Sequence, residues 1–156
     1  MSAQVRLAGA ADLPALLALR HEVFVVGQGV PVELEQDELD AAADHAVALR
    51  AGAVVGTGRL VDGRIDVEGR LEPGTPGTVG TVGRMAVAAP ARGTGVGRML
   101  LDLLVERAAA RGLPLVELHA QVHARAFYER AGFEPVGETY LEAGIEHQGM
   151  RRSLRA

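Results

Sequence analysis

Arg92-Gly93-Thr94-Gly95-Val96-Gly97 stands between an apolar run, Val82 to Val87, and a segment of helical periodicity. The run reads as a strand, and Ala88 to Arg92, with Pro90, as a loop. From Val96 onward, Met99, Leu100, Leu103, Leu104 and Ala108 keep the spacing of a buried helical face. Glycines at alternate positions therefore put bare backbone N–H groups at the opening of a helix. Glycine permits positive φ and close approach of a ligand's oxygens. Oriented amides and the positive end of the helix dipole together suit an anion, most naturally a phosphate or diphosphate. A glycine-rich turn that only caps the helix is the plainer alternative, although one glycine would suffice for that.

Two familiar phosphate motifs fit poorly. A P-loop needs Gly-Lys five residues after its first glycine. Gly93 is followed there by Arg98, and all sixteen basic residues are arginine. A dinucleotide fingerprint needs a third glycine where Arg98 stands, although Glu117 sits near the distance at which a ribose-binding carboxylate is expected. A nucleotide-binding oxidoreductase stays open on that coincidence, without a repeated βαβ pattern to support it.

Composition indicates one globular domain over residues 1–156. The chain is 48% hydrophobic and 23% charged, enough for a core, but only 3% aromatic, so that core must be mostly Leu, Val and Ala. A net charge of −4 argues against a nucleic-acid partner. The absence of cysteine excludes disulfides and a cysteine nucleophile. Leu13 to Leu19 is too short to span a membrane, and the N-terminus lacks the pattern of a signal peptide, so a soluble, cytoplasmic protein without a membrane partner is expected.

The elements read as a strand at Gln4–Ala8 and a helix from Leu13 toward Phe24 with Asp12 as its cap. An acidic, helix-permissive stretch, Glu33 to Ala43, precedes a hairpin, Ala46–Arg50 and Val54–Val61, turning at Gly52. Arg64 to Thr78 reads as a loop or a poorly packed strand edge. After the glycine loop and its helix, which Gly112 and Pro114 end, come a short strand at Leu115–Leu118 and a helix at Ala124–Ala131. Strands near Glu134–Tyr140 and Gln148–Leu154 close the chain. The predicted order is β-α-α-β-β-β-α-β-α-β-β, an α/β layered arrangement.

Arg92-x-x-Gly95-x-Gly97, after a strand ending in Met85-Ala86-Val87, resembles the coenzyme A diphosphate loop of the GNAT superfamily of N-acyltransferases. Ala124-x-x-Phe127-Tyr128-Glu129-Arg130-x-Gly132-Phe133 is similar to that family's last helix and the turn after it. Arg20-x-x-Val23-Phe24-Val25-Val26-x-Gln28 with Asp44-His45, and Glu142-x-Gly144-Ile145-x-His147-x-x-Met150, resemble its ElaA-like and YjcF-like branch. The resemblance covers essentially the whole chain. It implies one GNAT-like domain, a mixed sheet with helices on both faces, using acetyl-CoA as cosubstrate and no metal.

The same resemblance implies roles for residues. The donor would contact Met85, Ala86, Val87, Arg92, Gly93, Thr94, Gly95, Val96, Gly97 and Arg98, with Gln121 standing where the family often carries an asparagine. Tyr128 would sit close to the sulfur. A thiol ionises near pH ~8.5, so a tyrosine hydroxyl can protonate a departing thiolate. The alternative for Tyr128 is a core aromatic beside Phe127. A strand-end N–H near Val87 would meet the oxyanion. Alkyl amines titrate near ~10.4, so a proton must be accepted, and His119, facing the same side of its strand as Glu117, is a candidate base. A histidine bonded within the sheet is the alternative, and Glu142 and His147 are weaker candidates.

The acidic run Glu33, Glu35, Asp37, Glu38 and Asp40 could attract a cationic acceptor or form a solvated helix face. His45 after it has a structural anchor as its expected role. The function expected is direct acetyl transfer to an amine of a small molecule or peptide. A non-catalytic acyl-CoA-binding sensor is the alternative. Oligomeric state stays open, homodimers being common in the family.

Overall fold

The computed structural model describes residues 2–155. Its elements are β1 (Gln4–Leu7), α1 (Leu13–Arg20), α2 (Val32–Glu35), β2 (Asp44–Arg50), β3 (Ala53–Asp62), β4 (Gly80–Val87), α3 (Val96–Ala110), β5 (Leu115–Gln121), α4 (Arg125–Arg130), β6 (Glu134–Glu142) and β7 (Ile145–Ser153). This is the order the periodicities predict. The strands form one mixed seven-stranded sheet ordered β1-β2-β3-β4-β5-β7-β6. The chain divides into two compact units, Met1–Arg59 with Arg84–Leu104, and Leu60–Gly83 with Val105–Ala156.

In the first unit β1 runs antiparallel to β2, from Gln4↔Leu49 to Leu7↔Ala46. β2 turns into β3 through Ala51 and Gly52, whose φ values of 52° and 80° are both positive. That pair of left-handed residues defines a type I′ turn, whose twist matches the strands it joins. Aliphatic side chains of α1 (Leu16, Leu19), β2 (Ala46, Val47, Ala48) and α3 (Val96, Leu100, Leu101, Leu104) are buried. Two glycines let α3 approach β3. A Cβ on Gly56 would lie 2.8 Å from Leu100 and 2.9 Å from Val96, and one on Gly58 2.9 Å from Leu104. Here small size, not backbone freedom, is what the position requires.

Asp12 does not cap α1 with its side chain. Its carboxylate turns back to accept the Gly9 N–H at 2.8 Å and both terminal nitrogens of Arg6, at 2.7 and 3.0 Å. These bonds close a 3-10 turn, Ala10–Asp12, ahead of the helix. α1 then continues as a π-helical turn, His21–Val26, ending where the Gly27 N–H reaches the Glu22 carbonyl.

In the second unit β4 pairs parallel with β5 over Gly80↔Val116, Thr81↔Glu117 and Val82↔Leu118. β5 pairs antiparallel with β7 along its whole length. Val116, Leu118 and Ala120 are buried on one face of β5, which leaves Leu115, Glu117, His119 and Gln121 on the other. The glycine stop predicted after the loop helix is present, and α4 ends in the same geometry. Gly112 (φ 75°) and Gly132 (φ 91°) follow α3 and α4. The next residue's N–H bonds back across the last turn, Leu113 to Ala108 at 3.0 Å and Phe133 to Tyr128 at 3.1 Å. This is the Schellman arrangement, in which a left-handed glycine lets orphan carbonyls find donors. The 64–78 segment is a loop with a single bridge, Ile65↔Leu71.

Candidate functional site

The acidic run is neither an open cation trap nor a uniformly solvated face. Glu35 is 2% exposed and Arg20 1%, and the Arg20 Nε donates to Glu35 at 2.5 Å. Arg20 also reaches Asp40 at 2.7 Å, while Arg59 bonds Asp37 at 2.7 Å and Asp40 at 2.8 Å. Three arginines from other elements, Arg84 among them, thus neutralise the inner carboxylates, and Glu33 and Glu38 stay exposed. Burial alone would raise the Asp40 pKa, but the bonds to Arg20 and Arg59 outweigh it and hold the group at about 2. His45 anchors the end of the segment, its Nε2 donating to the Asp40 carbonyl at 2.9 Å.

Arg84 interrupts β4 with φ 52°, a left-handed conformation that costs a non-glycine residue about 1–2 kcal/mol. Its side chain offsets that strain. Nε donates to the Glu35 carbonyl at 3.0 Å, and a terminal nitrogen reaches the Leu34 carbonyl at 3.1 Å and Asp37 at 3.2 Å. β4 is thereby tied to the end of α2 just before Met85, Ala86 and Val87.

The glycine loop follows that strand end. Gly93 and Gly95 have φ of 75° and 87°, with nothing within 4 Å of where a Cβ would be. Their need for glycine is conformational. Arg92 Nε donates to the Val87 carbonyl at 3.0 Å and Thr94 Oγ1 to the Ala91 carbonyl at 2.5 Å. The helix's internal ladder begins with the Met99 N–H on the Gly95 carbonyl at 3.1 Å. Residues 92–95 form a turn, and among the described residues none of the N–H groups from Gly93 to Gly97 makes a close, well-aligned bond to a backbone carbonyl. Five uncommitted donors at the start of a 15-residue helix fit a multiply charged anion such as a diphosphate. Arg98 lies on the outer side of that helix and pairs with Asp102 at 2.9 Å. No group of three or more His, Asp or Glu among the described residues is placed to hold a metal ion.

The second unit carries the titratable candidates. Tyr128 lies in α4, half-buried between Phe127 and Phe133, with ring centroids at 5.0 and 6.2 Å and edge-to-face geometry. Among the described residues its hydroxyl has no hydrogen-bond partner. Burial pushes its pKa up to about 12, so it stays protonated through the neutral range.

His119 is fully engaged. Its Nε2 lies 2.8 Å from the Ile65 carbonyl, an atom that can only accept, so Nε2 carries the proton. The remaining lone pair, on Nδ1, accepts from the Tyr140 hydroxyl. Tyr140 in turn stacks on His147, centroids 6.0 Å apart, and His147 Nε2 lies 3.6 Å from Glu142. Burial first, and then Glu142, raise the Tyr140 pKa. The strand alternation did place Glu117 and His119 on one face, but Glu117 is bound by Arg64 at 2.6 Å and not by the histidine. Gln121 Oε1 accepts from His123 at 2.7 Å. Arg84, Arg50 and Tyr140 had escaped the sequence reading. Only an i, i+2 or helical spacing can be read along a chain, and their partners lie many residues away.

This architecture has close parallels among known proteins. A family model described as an acetyltransferase (GNAT) domain matches residues 10–154. The chain is 35% identical over 137 residues to YjcF of Bacillus subtilis, an uncharacterized N-acetyltransferase, covering 86% of this chain and 87% of the relative. It is 34% identical over 145 residues to ElaA of Escherichia coli, covering 92% and 88%. A crystal structure of an acyl-CoA N-acyltransferase from Pseudomonas aeruginosa superposes with a TM-score of 0.79 at 37% identity, covering 97% of this chain and 99% of that one. The chain belongs to the GNAT acetyltransferase family.

Proposed function

We propose that residues 1–156 act as one acyltransferase domain that moves an acetyl group from acetyl-CoA directly to an amine of a small molecule or peptide, in the cytoplasm. The observation that carries this reading is the run of uncommitted N–H groups from Gly93 to Gly97, in a chain of this family. These amides, with Arg92 adding charge, hold the diphosphate, and Arg98, turned outward to Asp102, is left out of that contact. The edge of β4 at Met85, Ala86 and Val87 takes the pantetheine arm as an added strand, with Gln121 as a further contact. An N–H at Val87 meets the carbonyl oxygen as it gains charge.

Tyr128 supplies the proton to the leaving thiolate. A hydroxyl without an internal partner and with a pKa of about 12 is present as the acid at neutral pH. His119 takes the amine's proton through Tyr140. As the amine's proton passes to the Tyr140 oxygen, the hydroxyl's own proton moves to His119 Nδ1. The imidazolium then donates from both nitrogens, to Tyr140 and to the Ile65 carbonyl. With no cysteine in the chain, no thiol-based acyl-enzyme is formed, and attack is direct.

A thermal-shift experiment with CoA, acetyl-CoA and NAD tests the reading. CoA and acetyl-CoA at 100-fold over Kd should stabilise the folded chain by about 2.7 kcal/mol, and NAD should not. Stabilisation by NAD alone would overturn the proposal. Binding of acetyl-CoA without thiol release, across polyamines, aminoglycosides and peptides, would reassign the chain as a binder.

A further inference from the structure

Arg50 is the last residue of β2, immediately before the Ala51–Gly52 turn. Its Nε is buried and has no hydrogen-bond partner. One terminal nitrogen reaches the Thr94 hydroxyl at 3.4 Å, a long bond to a neutral acceptor. Among the described residues no carboxylate lies within ion-pair distance of this guanidinium, whereas Arg20, Arg59, Arg64 and Arg84 each have one. A dry, unspent N–H on a cation is unfavourable in the free protein, and in a chain of net charge −4 carboxylates are not scarce. The same Thr94 belongs to the loop whose amides are also uncommitted. Two sets of donors, one cationic and one from the backbone, therefore border one loop without close internal acceptors.

We propose that Arg50 is a further phosphate-binding residue for the nucleotide end of the donor, using Nε and a terminal N–H as a bidentate pair beside Thr94. The proposal rests on the loop binding a CoA-type ligand. A guanidinium fork matches two oxygens of one phosphate, which explains why its inner nitrogen is left without a protein partner. Two groups of that nucleotide offer this chemistry, the diphosphate and the ribose 3′-phosphate.

Calorimetric titration of the full chain with CoA and with dephospho-CoA, for wild type, Arg50→Met and Arg50→Lys, tests it. Arg50→Met is expected to weaken CoA binding ~10-fold while the melting temperature of the free protein holds or rises, because a buried N–H without an acceptor has been removed. Arg50→Lys keeps the charge and loses the Nε donor, and is expected to weaken binding with the fold intact. A loss seen only with CoA assigns the 3′-phosphate, and an equal loss with both ligands assigns the diphosphate. Either supports the proposal. Unchanged affinity for both ligands in Arg50→Met, or in Arg50→Lys should the Met variant not fold, overturns it. A wild-type chain that binds neither ligand overturns the proposed function instead.

Discussion

The Tyr140 hydroxyl donates to Nδ1 of His119, and the opposite ring nitrogen of that histidine donates to the Ile65 carbonyl. Both ring nitrogens are therefore engaged, and the one that can accept a proton faces a tyrosine hydroxyl. This makes the two residues one unit in any proton transfer, and it gives them a shared signature.

His119→Asn and Tyr140→Phe are each expected to lower kcat ~100-fold, with the KM for acetyl-CoA unchanged. The double variant should be no worse than either single one, because the two act in series. Thiol release from acetyl-CoA measures this without background, since the chain has no cysteine to consume the reagent. Additive losses would mean that the residues act separately.

Tyr128→Phe should cost ~10- to 100-fold in kcat and leave CoA affinity within a factor of two, because only the hydroxyl is removed from a packed ring. The Tyr128 pKa is raised to about 12, so its acid form persists as pH rises through 10. An alkaline fall in kcat near pH 9 that disappears in the Phe variant would contradict this assignment.

Gly95→Val places a β-branched residue at φ 87°. About 1–2 kcal/mol of strain should appear as a lower melting temperature, and CoA binding should be lost as the amides reorient. Gly97→Ala, at a position without positive φ, should leave the melting temperature nearly unchanged.

Acid stability should depend on Asp40. Its folded pKa is about 2 against an ordinary 3.8, so the unfolded chain binds the proton more tightly. The stabilisation is complete above about pH 4 and is lost as pH falls toward 2. Asp40→Asn, which leaves Arg20 and Arg59 short of charge, should destabilise by about 3–5 kcal/mol in urea unfolding at pH 7, with a weaker acid dependence than wild type. Equal acid dependence in both proteins would assign the effect elsewhere.

The glycines at the loop and at the ends of α3 and α4 were legible because their requirement is local. A positive φ after a helical stripe needs no knowledge of the rest of the chain. The acidic run was not legible. Its carboxylates look alike in sequence, yet Glu35 is buried against Arg20 while Glu33 and Glu38 are exposed. Asp12 carried the right residue type for a cap and was claimed instead by Arg6 and Gly9.

Periodicity and turn chemistry in the sequence alone determined the order of helices and strands, the helix stops and the glycine-rich turn that opens α3. These depend on neighbours a few residues apart, whose geometry the backbone fixes. Tertiary structure alone decided which arginine answers which carboxylate, that His119 faces the Tyr140 hydroxyl, and that Arg50 stands at Thr94 without a counterion. Arg20 and Glu35 are 15 residues apart in the chain, Arg50 and Thr94 44, and Arg64 and Glu117 53, and only folding sets their distance.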